Sequence, residues 1–395
     1  MKKTRCLALI IAAAVIFALA ACSNNSNSQI SETMVFTEEP RSTVDQPGGI
    51  AEPAEPNSEY IQNMVANMSL EEKVGQMFFA QVPYENAAEV AQKYHLGGYV
   101  LFGKDTENKT SDELKNDIKN IQDPQKIKML IATDEEGGTV VRVSSNPNLA
   151  NEPFKSPKEI NQSGGMDAVI KAESDKADLL LSLGINVNFG PVCDITKDQN
   201  AFMYDRSFSD DKNEVSKFVA STVEVYKKKQ LGSVLKHYPG YGDNADTHIG
   251  GAVDSRSYAE FSNNDFIPFE AGIKAGADAI MVSHNCVSAL DEKNPNTPAS
   301  LSNEAHQKIR NDLNFKGVIM TDDLTMDAIN EFAGDQNPAV LAVKADNDMI
   351  CCSDLDSGYN GVLNAVNNGE INTAQIDQSV TRILEWKQRL GILGF

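Results

Sequence analysis

Residues 317–323 read GVIMTDD. A glycine opens the stretch, four residues of β character follow, and two acids close it. A short apolar run entered at a turn residue and left through polar ones fits a strand buried on both faces. Seven further runs have this form: Gln76–Val82, Gly98–Phe102, Met129–Thr133, Ile185–Phe189, Ser233–Leu235, Ala279–Ser283 and Met349–Cys352. Between them lie helix-like segments, among them Asp112–Ile121, Asp175–Leu183, Val215–Lys229, Pro268–Ala275, Asn303–Leu313 and Asn337–Ala345. Strands alternating with helices predict a parallel sheet joined by crossovers. Eight such units predict an α/β fold, a single (β/α)8 barrel, with Ile376–Leu390 as the last helix of the ring. The alternative is an open doubly wound sheet, but no GxGxxG follows the first strand.

Outward from the barrel, the amino end reads differently. Met1–Arg5 is a short basic start and Leu7–Ala21 is almost wholly apolar. That span is shorter than the roughly 20 residues of a membrane-crossing helix and fits a signal h-region. Small residues lead into Cys22, which Ser23-Asn24-Asn25 follow. The junction resembles a bacterial lipobox, which implies a signal peptide over 1–21 and a lipidated Cys22 as the new amino terminus. An uncleaved anchor is the alternative, and both readings place the protein outside the cytoplasmic membrane. Residues 22–57, rich in Ser, Asn, Glu and Pro, predict a disordered tether. The folded domain is expected over 58–395, with Ser69-Leu70-Glu71-Glu72 as a capping-box helix start. Of 395 residues, 41% are hydrophobic and 23% charged, and the net charge is −21, which argues against a nucleic-acid partner. Beyond Cys6 and Cys22, the thiols of Cys193, Cys286, Cys351 and Cys352 lack metal-type spacing and are expected to be buried and free.

Polar residues follow the apolar runs repeatedly. The third ends in Thr133-Asp134-Glu135-Glu136, the fourth leads to Asp194, and the fifth ends in Lys236-His237. The sixth ends in Ser283-His284 and the seventh in Asp322-Asp323. In a (β/α)8 barrel all these ends open on one face, which holds the active site. No HExxH, calcium loop, P-loop or GxSxG is present, so neither a metal nor a cofactor is expected. What remains is a set of carboxylates with one loop-borne acid and imidazole, Asp246-Thr247-His248. That inventory suits a nucleophile plus acid/base chemistry on a polar, uncharged substrate such as a sugar.

Four stretches together resemble glycoside hydrolase family 3: KHYPGYGDNADTH (236–248), DEEGGTVVR (134–142), DRSF (205–208) and IRNDLNFKGVIMTDDLTM (309–326). The resemblance runs from about Leu70 to the carboxyl terminus, and the Asp-Thr-His loop is similar to the bacterial β-N-acetylglucosaminidase branch. It implies Asp322 as nucleophile, with Asp323 as the local competitor, and His248 as acid/base oriented by Asp246. Asp134, Arg142, Arg206, Lys236 and His237 match the family's sugar-binding positions. Arg206 pairing with Asp205, and Lys236 in a salt bridge at the barrel mouth, are the structural alternatives. For Asp194 and His284, hydrogen-bonded support stands beside sugar contact. Tyr238 and Tyr241 stand where related sequences often carry Phe and a second His. Gly240 and Gly242 are expected to act as a hinge for the His248 loop. The implied activity is a retaining β-N-acetylhexosaminidase acting on N-acetylglucosamine-containing oligosaccharides or muropeptides, tethered to the membrane through Cys22. A β-glucosidase, a phosphorylase and a sugar-binding lipoprotein are the competing readings.

Overall fold

The computed structural model describes residues 57–247 and 250–394. The signal segment, Cys22, all of the tether except Asn57, and His248 lie outside the described residues.

Among the described residues ten strands occur in chain order: β1 (Phe78–Gln81), β2 (Gly98–Leu101), β3 (Leu130–Thr133), β4 (Val187–Asn188), β5 (Gly232–Tyr238), β6 (Val253–Asp254), β7 (Ala279–Val282), β8 (Cys286–Val287), β9 (Val318–Thr321) and β10 (Ile350–Cys352). Eight form one all-parallel sheet in the order β10-β1-β2-β3-β4-β5-β7-β9. A parallel bridge between Met320 and Met349 joins the two edges, with Thr321 N donating to Met349 O at 3.2 Å. The sheet is therefore a closed barrel, as the eight apolar runs predict. Strands such as β2, β3, β7 and β9 are buried at every residue. Side chains inside and helices outside leave neither face wet, which is why these segments show no alternation in sequence.

The helices begin where local chemistry satisfies their first N–H groups. Ser69 accepts from Glu72 N, and the Glu72 side chain accepts from Ser69 N, completing the expected capping box. The helix Pro157–Ser182 extends well upstream of the predicted Asp175–Leu183, because Gly165 (φ +72°) breaks its regular geometry and divides its pattern. The ribbon of β6 and β8 has only two residues per strand and carries no periodic signal. Inside the barrel, Phe79 meets Phe189 edge to face at 5.6 Å, and the fully buried Trp386 ring meets Phe79 at 6.4 Å. No described helix is long and apolar enough to cross a membrane.

Candidate active site

A cavity of about 680 Å³ opens at the carboxyl ends of the barrel strands. Asp134, Arg142, Arg206, Lys236, His237, Asp246 and Asp322 all border it. The described residues singled out by motif are thus brought to one place from four separate stretches of chain.

Lys236 and His237 are neighbours on β5, and a regular strand would aim them at opposite faces. Leu235 pairs with Ile280 and Tyr238 with Val282, so β5 takes three steps where β7 takes two. The extra residue makes a bulge, and bulges re-aim side chains. Both Lys236 and His237 consequently reach the cavity.

Lys236 Nζ lies 2.5 Å from Asp134 Oδ1 and 2.7 Å from Glu136 Oε1. Glu136 also binds Arg206 through two bonds, Nε to Oε2 at 2.9 Å and Nη2 to Oε1 at 2.7 Å. Burial alone would raise the Glu136 carboxyl, but Arg206 and Lys236 outweigh it and hold it well below the ordinary carboxylate range. Burial likewise opposes the charge on Lys236, and Asp134 and Glu136 reverse that, leaving its pKa raised. The four side chains form a fixed array of full charges beside the cavity, the kind of preorganised environment that binds polar groups without rearrangement. Lys236 therefore does make a salt bridge at the barrel mouth. Arg206 takes Glu136, rather than Asp205, as its partner.

Arg206 Nη2 stands 3.2 Å from His237 Nε2. A guanidinium only donates, so Nε2 accepts and the ring proton sits on Nδ1. Nδ1 then donates to Asp194 Oδ2 at 2.8 Å. Asp194 also accepts from His237 N at 3.0 Å and Tyr241 N at 2.7 Å. It is fully buried and does not border the cavity, so its place is to hold the end of β5. His284 is similar. It is fully buried, with Nδ1 2.7 Å from Ser300 Oγ and Nε2 3.0 Å from the Asp323 carbonyl oxygen.

Asp322 and Asp323 both border the cavity, so strand alternation does not separate them. Asp323 Oδ1 accepts from Thr325 N at 2.9 Å and Thr325 Oγ1 at 2.8 Å, and its Oδ2 accepts from Gln81 Nε2 at 3.3 Å. One oxygen shapes the turn and the other is held by Gln81 of β1. Asp322 Oδ1 accepts from Asp323 N at 2.8 Å.

The loop carrying Asp246 is fastened at its root. Gly240 (φ +112°) and Gly242 (φ +57°) adopt left-handed backbone that favours glycine. A Cβ at Gly240 would lie 2.6 Å from Asp265 Oδ1, and one at Gly242 would lie 2.9 Å from the Arg256 guanidinium carbon. Arg256 donates to Asp265 at 2.9 and 3.0 Å, to Asp254 at 2.7 Å and to the Gly240 carbonyl at 3.0 Å. Its guanidinium also stacks over Phe261 at 4.3 Å. Close approach to this clamp accounts for glycine at the two positions read as a hinge. Farther along, the Tyr241 hydroxyl lies 2.6 Å from Oγ1 of the fully buried Thr247. The Tyr241 ring meets His237 edge to face at 5.4 Å.

All four described cysteines are free and buried, and Cys351 and Cys352 both border the cavity. Among the described residues, no group of three or more His, Cys, Asp or Glu side chains is placed to hold a metal ion.

Residues 69–386 match the glycosyl hydrolase family 3 N-terminal domain. The chain belongs to glycosyl hydrolase family 3. It is 31% identical over 274 residues to the β-hexosaminidase of Nitrosomonas eutropha, covering 66% of this chain and 75% of that one. It is 27% identical over 396 residues to β-hexosaminidase LpqI of Mycobacterium tuberculosis, covering 97% of each. Among solved structures, the family 3 β-N-acetylglucosaminidase of Paenibacillus sp. FPU-7 superposes with a TM-score of 0.77 at 27% identity. That match covers 82% of this chain and 63% of the Paenibacillus chain.

Within this family 3 site, sequence reading passed over Glu136, although it is the hub of the charged array. The string Asp134-Glu135-Glu136 offers no way to rank its acids. Glu135 is also fully buried, but its Oε2 accepts from Arg142 N at 2.8 Å and Val143 N at 2.7 Å and so shapes the backbone that presents Arg142. Arg256 and Asp265 lie in no motif and gave no signal.

Proposed function

We propose that this family 3 chain is a retaining β-N-acetylhexosaminidase that releases terminal N-acetylglucosamine from oligosaccharides. The observation that carries the reading is Asp322. Its carboxylate borders the same cavity as the charged array, while its neighbour Asp323 has Oδ1 held by Thr325 and Oδ2 by Gln81. In the proposed mechanism Asp322 attacks the anomeric carbon as the glycosidic bond breaks. His248 gives its proton to the leaving oxygen, and a glycosyl ester forms on Asp322. His248 then takes a proton from water, which attacks the same carbon and frees Asp322. An imidazole suits both halves because its ordinary pKa lies near neutrality. Asp246 borders the cavity and would orient His248 and balance its charge. Asp134, Lys236, Arg206 and His237 would bind the sugar hydroxyls. Arg142 supports the same role, since its buried Nε has no partner among the described residues. The steps use side chains alone and call for no cofactor.

The signal segment over 1–21, the lipidated Cys22 and the tether to residue 57 would place the 58–395 domain outside the cytoplasmic membrane, anchored by lipid. Cell-wall fragments such as muropeptides are the proposed source of the sugar there. The test is to trap the intermediate with a fluorinated N-acetylglucosaminyl donor and map the labelled peptide. Label on Asp322 is expected, and label on any other residue overturns the assignment.

A further inference from the structure

The loop that carries Asp246 enters at Gly240, just past β5, and returns at Asp254 in β6. One guanidinium holds both of these ends. Arg256 Nη2 donates to the Gly240 carbonyl at 3.0 Å and to Asp254 Oδ2 at 2.7 Å, and Nε donates to the same Asp254 oxygen at 2.9 Å. Nη1 donates to the two oxygens of Asp265 at 2.9 and 3.0 Å. Within the loop, Asn244 Nδ2 donates to Asp254, so a third point of the chain hangs on the same assembly.

Arg256 balances the charge of Asp254 and Asp265, which are both buried. Charge balance alone asks nothing of the Gly240 carbonyl. Nor does it ask for glycine at 240, where a Cβ would meet Asp265 Oδ1 at 2.6 Å. Asp265 closes a π-helical turn, Phe261–Asp265, and the guanidinium lies 4.3 Å from the ring of Phe261, which opens it. Such turns are rare and recur at functional positions. Arg256, Asp254 and Asp265 nevertheless stay off the main cavity, whereas Asp246 borders it. Any effect of the assembly on chemistry must pass through the loop.

We infer that Arg256 is a positioning residue for proton transfer: by pinning the entry and the return of the loop on one rigid fork, it sets where Asp246-Thr247-His248 stands over the cavity. The inference rests on the glycosidase reading above, in which that segment supplies the acid/base. A guanidinium presents five donors in fixed geometry and serves three acceptors at once, whereas an ammonium on a flexible stem does not hold them in register. A misplacement of about 1 Å at a reacting group can cost about 100-fold in rate. The array of Asp134, Glu136, Arg206 and Lys236 is held by its own ion pairs. Loosening the clamp should therefore fall on protonation of the leaving oxygen rather than on sugar binding.

The test uses the full-length protein and two substrates: a disaccharide with terminal N-acetylglucosamine, whose leaving oxygen needs a proton, and N-acetylglucosaminyl fluoride, whose leaving group needs little proton transfer. The quantity compared is kcat/KM, which reports the steps up to the glycosyl ester. Arg256→Lys keeps a positive charge between the two carboxylates and loses the fork. Its kcat/KM on the disaccharide is expected to fall about tenfold relative to the fluoride. Asp265→Asn keeps the shape and weakens the Nη1 side of the clamp, and the same ratio is expected to fall about threefold. Thermal unfolding shows whether each variant is folded, and if Arg256→Lys is not, Asp265→Asn decides. An unchanged ratio in a folded variant overturns the inference, whether both rates fall together, as a purely structural role requires, or neither falls. If the wild type turns over neither substrate, the glycosidase reading itself fails, which is a distinct result.

Discussion

Lys236 and Lys387 are both buried, at opposite ends of one barrel. Lys236, at the carboxyl end, faces Asp134 and Glu136, and its pKa is raised. Lys387 lies at the amino end, where Nζ donates to Gln76 Oε1 at 2.7 Å. With burial as the only influence, its pKa is pulled down to about 7. The contrast is not simply one of paired against unpaired ends. Asp348, at the amino end, is fully buried and pairs with Arg310 at 2.6 Å and Arg382 at 2.7 Å. That cluster ties helices together and does not border the main cavity. What distinguishes the carboxyl end is a charged network that faces open space, where its charges can act on something other than one another.

The strongest way to break this comparison is Glu136→Gln. The amide keeps the shape but leaves Lys236 with Asp134 as its carboxylate partner and takes from Arg206 the carboxylate that binds it. Removing one partner from a buried charged network costs about 3 kcal/mol or more. Misplacing the sugar-binding groups should lower kcat/KM by about 100-fold. Thermal unfolding and hydrolysis of a nitrophenyl N-acetylglucosaminide measure the two effects. Wild-type values for both would mean that Glu136 is not the hub of the array.

Lys387→Met tests the other end. An ordinary lysine has a pKa of about 10.4. Between about 7 and that value the unfolded chain holds a proton that the folded chain lacks, so stability rises with pH. The penalty is fully present below about 7 and is relieved toward 10. Methionine fills the same space without the charge, although it leaves Gln76 Oε1 without its donor. The variant is expected to be more stable than wild type by about 2 kcal/mol at pH 6, with the gap closing toward pH 10. Activity should be unchanged. A variant less stable than wild type at pH 6 would show that the buried ammonium is stabilising after all.

Sequence made the barrel legible because strands covered on both faces appear as short apolar runs with polar exits. The fifth apolar run, Ser233–Leu235, was read as ending in Lys236-His237, and the strand continues one residue further, through Tyr238. The same exits exposed Asp134, Lys236, His237 and Asp322 as candidates. Glu136 escaped because its decisive partner, Arg206, lies 70 residues away and nothing local marks the pair. Lys387 was equally hidden. A lysine near a helix end ordinarily extends its ammonium to water, and only the packed structure shows that this one does not. The clamp on Gly240 and Gly242 was invisible for a related reason: glycine permits both movement and close approach, and a string of letters cannot separate the two.

The finest test compares two neutral hydroxyls. Tyr238 and Tyr241 are both buried and three residues apart. The Tyr238 ring stacks on Phe266 at 5.4 Å, and its hydroxyl finds no hydrogen-bond partner among the described residues. Tyr241, which borders the cavity, bonds Thr247, the residue between Asp246 and His248 in the chain. Tyr241→Phe keeps the ring contacts and removes that bond, worth about 1 kcal/mol, or roughly a fivefold loss of kcat. If the bond serves to place the acid/base pair, the loss should appear on a disaccharide, whose leaving oxygen needs a proton. It should be much smaller on the glycosyl fluoride, whose leaving group needs little proton transfer. Tyr238→Phe should leave both rates unchanged, and it should not lower the melting temperature, because it removes a buried polar group that has no partner. Equal losses on both substrates for Tyr241→Phe, or matching behaviour of the two variants, would mean that the Thr247 bond is ordinary packing and that the cavity end has no special claim on its polar groups.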